Sequence, residues 1–170
     1  MIKELAKSFA TLENFSDNVI AEIKFFRGKF KSGLKVLEEN REFKLISSAS
    51  ADEKILVKLV APRKKIRSAV GVRIQAEKKT QMIFTSDEVF DFVEEVRDKN
   101  KIYRLNPPIV PPLLVLETLL KIEQFSSCEN LKLRFKHFIT AGEPLTFYVA
   151  DEKNFELQSA GSVKVLISVK

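Results

Sequence analysis

Cysteine is all but missing from this chain: Cys128 is the single one in 170 residues. One thiol can neither close an internal disulfide nor build a cysteine-based metal cage. Tryptophan is absent and tyrosine occurs twice, so the aromatic content is carried by 14 phenylalanines. Phenylalanine brings apolar area without a polar handle and belongs by default to a core. Long apolar runs are lacking too. The longest nearly uncharged stretch is about Leu105 to Leu116, far short of the roughly 20 residues that a membrane span requires. The opening Met-Ile-Lys-Glu-Leu-Ala-Lys carries charge where a signal peptide would be continuously apolar. Together these absences predict a soluble, cytoplasmic protein with no membrane partner.

Signature motifs are missing as well. The chain has no Gly-x-x-x-x-Gly-Lys-Ser/Thr, no Gly-x-Gly-x-x-Gly, no Cys/His zinc spacing and no Gly-x-Ser-x-Gly. Nucleotide hydrolysis, dinucleotide binding, structural zinc and serine hydrolysis therefore have no support, and no cofactor or metal is expected. The lone histidine, His137, is no metal site by itself and reads as a strand surface residue.

What remains is a globular composition, 45% hydrophobic and 31% charged, of a length ordinary for one domain. The net charge of +6 favours acidic partners. Its densest patch, Arg63-Lys64-Lys65-Ile66-Arg67, most simply marks a turn between strands. No aromatics are interleaved with it for stacking on bases, so nucleic acid ranks last among the partners considered.

Leu5 to Leu12 has helical apolar spacing. Alternating or β-branched stretches follow at Val19–Phe26, Arg41–Ser47, Lys54–Val60 and Ile66–Ala76, then Gln81–Thr85. Ser86-Asp87-Glu88 caps a predicted helix to Arg97, with Val89, Phe90, Phe92, Val93 and Val96 as its apolar stripe. After a segment containing Pro107, Pro108, Pro111 and Pro112, residues 113–125 read as a helix apolar almost all round, hence central and buried. Pro112 suits its first turn. Strands are predicted at Leu131–Phe138, Leu145–Val149, Phe155–Ser159 and Val163–Val169.

A shift of 110 positions aligns the two ends of the chain. Phe15-Ser16 falls on Phe125-Ser126, and Ile23-Lys24-Phe25 on Leu133-Arg134-Phe135. Allowing for loops, Phe30, Gly33, Phe43, Leu45 and Ser47 follow Phe138, Gly142, Phe155, Leu157 and Ser159. This divides the chain into residues 1–78, a trimmed first copy, and residues 79–170, a complete second one.

The segment Phe84-Thr85-Ser86-Asp87-Glu88-Val89, then Asp98-Lys99-Asn100-Lys101-Ile102-Tyr103, then Pro108-Ile109-Val110-Pro111-Pro112-Leu113-Leu114 resembles the MaoC-like hydratases and dehydratases of the hotdog superfamily. Their pattern is a short strand, a helix, Asp-x-Asn-Pro-x-His and a Pro-Gly turn opening the central helix. Arg134-Phe135-Lys136-His137-Phe138-Ile139-Thr140-Ala141-Gly142-Glu143-Pro144-Leu145 is similar to the family's Arg-Phe-x-x-Pro-Val-x-Pro-Gly-Asp-x-Leu. The resemblance covers residues 80 to 170. It implies an α+β hotdog fold, a central helix wrapped by antiparallel sheet, and with the repeat a double hotdog. It also implies an acyl-CoA or acyl-carrier-protein thioester as partner and a homodimer, unless one chain supplies both halves.

The same helix also resembles that of the β-hydroxyacyl-carrier-protein dehydratases. In that register Tyr103 falls on the catalytic histidine and Glu117 on the catalytic carboxylate. The resemblance thus designates Asp98, Tyr103 and Glu117 as catalytic, and Asn100, Pro112, Leu113, Leu114 and Gly142 as substrate-binding. The amides of Leu113 and Leu114 would polarise the thioester carbonyl. Three departures stand against activity: Tyr103 replaces the histidine, Lys101 the proline, and Pro112 the glycine of the turn. Tyrosine donates a hydrogen bond but is a poor base.

Each designated residue also has a plainer meaning. Asp98 follows a helix as turn residues do, and Glu117 can face an edge or an interface. Tyr103 can be packing, and Gly142 can serve a tight turn. Two functions stay open: an enoyl- or 3-hydroxyacyl-thioester hydratase/dehydratase, which is a lyase, and a non-catalytic acyl-binding or subunit-assembly module.

Overall fold

The structure is a computed structural model that describes residues 2–13, 15–62 and 77–170, the side chains of 77–80 apart. The strand expected at Ile66–Ala76 and the basic cluster Arg63–Arg67 lie outside the described residues.

Helix α1 (Ile2–Phe9) buries Ile2, Leu5, Ala6 and Phe9, the i, i+3, i+4, i+7 face of one amphipathic helix. After a 3-10 turn at Phe15–Asp17 come β1 (Val19–Arg27), β2 (Gly33–Glu39), β3 (Lys44–Ala49) and β4 (Glu53–Val60). Burial alternates strictly along β4, so one face of the sheet is covered and the other meets water. β5 (Glu77–Met82) precedes α2 (Ser86–Val96). Thr85, one residue before the expected cap, closes a capping box with Glu88. Val89, Phe92, Val93 and Val96 are buried as the spacing predicts, whereas Phe90 is 39% exposed.

α3 (Pro112–Leu120) begins with Pro112 in its first turn and buries Leu113, Leu114, Val115, Leu116 and Leu119. The single helix expected over 113–125 is interrupted: Ile122 takes an extended conformation and a separate turn of helix, α4 (Glu123–Ser126), follows. That break turns Phe125 inward, edge-on to Phe147 and Phe155 with ring centroids 5.7 and 5.2 Å away. β6 (Asn130–Phe135), β7 (Leu145–Val149), β8 (Asn154–Ser159) and β9 (Ser162–Val169) complete the chain. β8 and β9 are joined through Ala160 and Gly161, both at positive φ, which matches the twist of a two-residue hairpin.

The described strands form one antiparallel sheet in the order β2-β3-β4-β1-β6-β9-β8-β7-β5. β1 and β6 lie adjacent at its middle, and β4-β3-β2 leave β1 in the same succession as β9-β8-β7 leave β6. α1 packs on α2, α3 and β3. A continuous apolar core joins these helices to the covered faces of both halves.

Candidate functional site

The backbone between α2 and α3 is held by short polar links. Asp98 Oδ1 accepts the Asn100 N–H at 2.9 Å. Asn100 in turn caps the 3-10 turn Lys101–Arg104 by accepting from Ile102 N–H, and its amide donates to Asn18 O at 2.9 Å. Asp98 and Asn100 are thereby buried and fasten this loop to the start of β1. Burial pushes the Asp98 carboxyl above its ordinary value, only partly countered by the Asn100 N–H and the Arg104 charge. Tyr103 is 3% exposed. Burial, reinforced by the negative charge of Asp98, raises its phenol far above the ordinary tyrosine value, so the group stays protonated and keeps a hydrogen to donate.

Tyr103 lines a cleft of about 400 Å³ between the two halves of the sheet. Val19, Ile20 and Val60 form one wall, and Ile109, Val110 and Pro112 bring the Pro-rich segment to the start of α3. The far wall is Phe135 to Ile139, just past the end of β6. The lining is mainly apolar. Among the described residues its polar side chains are Tyr103, Lys136 and His137.

The remaining designated residues divide. Pro112 borders the cleft. Leu114 N–H is engaged with Pro111 O at 3.0 Å, so of the two amides named for a carbonyl only that of Leu113 has no acceptor recorded among the described residues. Gly142 is exposed, stands at φ +81°, and donates its N–H to Phe84 O. It serves the turn into β7. Glu117 does not reach the cleft: its Oε1 lies 3.3 Å from Lys121 Nζ, one helical turn on, and its charge acts on Lys3 of α1. Its Oε2 is buried without a hydrogen-bond partner among the described residues. The structure therefore brings Asp98, Asn100, Tyr103 and Pro112 around one loop and helix start, and sets Glu117 and Gly142 apart.

The sequence reading placed His137 on a strand surface and gave it no role in the site. The strand expected through Phe138 ends at Phe135, and His137 sits on the following bend, half-buried in the cleft wall rather than on a strand surface. The Thr140-Ala141-Gly142 turn ahead of it was the available signal that the strand had ended.

The fold is similar to that of solved structures, including these three. HtdX of Mycobacterium tuberculosis superposes with a TM-score of 0.69 at 12% identity, covering 99% of this chain and 86% of that one. A MaoC-like dehydratase from Phytophthora capsici gives 0.59 at 12% identity, covering 94% and 71%. An acyl-ACP thioesterase from Bacteroides thetaiotaomicron gives 0.55 at 13% identity, covering 98% and 81%. The chain has the hotdog fold. Its sequence identity to these structures is low, and neither a family model nor a curated protein matches it. Among the described residues no helix of the hotdog chain is long and apolar enough to cross a membrane, and no three His, Cys, Asp or Glu side chains are grouped to hold a metal ion.

Proposed function

We propose that this hotdog protein takes the acyl chain of a CoA or carrier-protein thioester into the cleft beside Tyr103, and that the reaction class is hydration or dehydration of the enoyl/3-hydroxyacyl pair. The observation that carries the reading is the apolar cleft of about 400 Å³, which opens where the Asp98-to-Pro112 segment meets the start of α3. An apolar lining suits an alkyl chain, each buried methylene contributing about 0.8 kcal/mol. Lys136 on the wall and the net charge of +6 suit the phosphates of the carrier. Structural likeness to a MaoC-like dehydratase and an acyl-ACP thioesterase agrees with an acyl-thioester ligand. The reading places the protein in the cytoplasm, where such thioesters are handled.

A second reading, an acyl-binding module without chemistry, draws on a specific observation. Asp98 spends one carboxylate oxygen on a turn and Tyr103 holds its proton, so neither is poised as a base.

One experiment separates them. Calorimetric titration with octanoyl-CoA measures binding, and loss of the conjugated enoyl absorbance of 2-octenoyl-CoA measures hydration. Binding with turnover supports the first reading, and binding alone supports the second. Absence of binding to both CoA and carrier-protein thioesters sinks the proposal.

A further inference from the structure

The cleft wall contains a histidine that the sequence pattern does not designate. Of the three polar side chains that line the cleft among the described residues, Tyr103 keeps its proton and Lys136 presents a positive charge. Neither Asp98 nor Glu117 is among the residues that line it. Histidine is the side-chain type that both takes up and releases a proton around neutral pH, and the chain's only histidine stands in this wall.

The segment that carries it is fixed on several sides. Lys136 N–H donates to Lys164 O at 2.8 Å and His137 N–H to the same oxygen at 3.4 Å. Lys164 Nζ returns a bond to Phe138 O at 3.1 Å while pairing with Glu143 at 2.6 Å. Val110 N–H donates to Ile139 O, and Ala141 N–H to Pro108 O, which ties the bend to the Pro-rich segment that forms the adjoining wall. His137 and Tyr103 thus line one cleft from separate elements with little freedom to move apart, as a functional constellation requires.

We propose that His137 is the proton-transfer residue of this cleft, acting in place of the designated Asp98–Tyr103 pair. The inference rests on the acyl-thioester reading above. In hydration, the neutral imidazole takes a proton from water as the water oxygen bonds to C3 of the enoyl thioester. The C2–C3 π electrons move toward the thioester carbonyl, whose oxygen accepts a hydrogen bond from Tyr103. The imidazolium then returns its proton to C2, giving the 3-hydroxyacyl thioester and neutral His137, with one water consumed. Dehydration runs the same steps backward.

Because the chain has one histidine, its imidazole gives a single set of ring signals in an NMR spectrum, and those signals need no assignment. Titration of the wild-type protein with octanoyl-CoA, which cannot be hydrated, is expected to shift them in step with calorimetric binding. His137→Gln is expected to lower kcat for 2-octenoyl-CoA by at least about 100-fold, while its octanoyl-CoA affinity stays within about threefold of wild type. Unmoved ring signals under saturating octanoyl-CoA overturn the inference even where the variant cannot be purified folded. Undiminished turnover in a folded His137→Gln overturns it while leaving the acyl-thioester reading intact. Binding by wild type with no turnover of enoyl thioesters also overturns it, again without touching acyl binding. A wild-type protein that binds no acyl thioester removes both.

Discussion

Ile23 and Leu133 face each other across the middle of the sheet, where β1 and β6 run antiparallel, and they are also the two residues that a shift of 110 positions superimposes. A residue that is both partner and counterpart of another lies on a local two-fold axis. The next strands follow suit: Ile23 pairs with Val57 and Leu133 with Ile167, again 110 apart. One strand further out, Ile46 lies opposite Val57 and Phe155 opposite Ile167, which are 109 apart. The strand pairing thus matches Phe155 with Ile46, three positions from the Phe43 that the sequence shift selected. We propose that residues 1–78 and 79–170 are two copies of one unit, paired within the chain.

That proposal has two measurable consequences. Ile23 and Leu133 are both fully buried, so Ile23→Ala and Leu133→Ala should each cost about 2–5 kcal/mol of unfolding free energy, and by similar amounts. Urea unfolding measures both. Light scattering after size exclusion should return the mass of one chain, because β1 already occupies the edge of β6 that a second subunit would otherwise fill. A two-chain mass would restore the homodimer that the resemblance implies.

The elements legible in the sequence were those whose burial is one-sided and regular. β4 and the stripe of α2 read directly from alternation and helical spacing. β2 did not, because it is an edge strand, exposed almost throughout, with Val36 and Leu37 facing water and no buried face to imprint a pattern. The break at Ile122 was illegible for the opposite reason: Leu119, Ile122 and Phe125 keep helical apolar spacing across it, with no Gly or Pro between them to signal a turn. Motif spacing pointed to the segment of Asp98 and Tyr103, of which Tyr103 lines the cleft, but the cleft wall holding His137 depends on where β6 stops. That end is set by the bonds from Lys164 and Pro108, which are remote in sequence.

Asp98 ties pH to stability. Its carboxyl lies above the ordinary value of 3.8 in the folded chain, chiefly through burial. The folded state therefore holds this proton more tightly than the unfolded one, and the ionised form costs stability. Stability from this group is complete below about 3.8 and is lost as pH rises through the raised folded value. Asp98→Asn retains an oxygen to accept the Asn100 N–H and carries no charge. Its melting temperature should match wild type in acid and exceed it at neutral pH. Asp98→Ala removes the acceptor and should lose about 1–3 kcal/mol at either end. Melting curves from acid to neutral pH for the three proteins check the sign.

Among the described residues, Glu117 presents a buried oxygen with no hydrogen-bond partner and pairs with the exposed Lys121. Replacing it by Met removes that unpaired oxygen and keeps a flexible chain of similar length. Glu117→Met should leave the melting temperature unchanged or raise it, by up to about 1–3 kcal/mol of stability. Hydration of 2-octenoyl-CoA should be unaltered, since Glu117 does not line the cleft. A folded variant with a large loss of turnover would instead mean that this carboxylate reaches the substrate.

Tyr103 separates donation of a hydrogen bond from transfer of a proton. Its phenol stays protonated because burial and the Asp98 charge both oppose ionisation. Tyr103→Phe keeps the ring that packs in the buried wall, so the fold and the octanoyl-CoA affinity should hold. On the proposed reading it removes the donor to charge developing on the thioester oxygen, and loss of one such donor should lower kcat by about 100-fold. Since the phenol does not titrate, the ratio of wild-type to Tyr103→Phe rates should be flat between about pH 6 and 9. A ratio that changes across that range would mean that Tyr103 exchanges its proton during turnover, and the proton-transfer role would pass from His137 back to the residue at the position of the family's histidine.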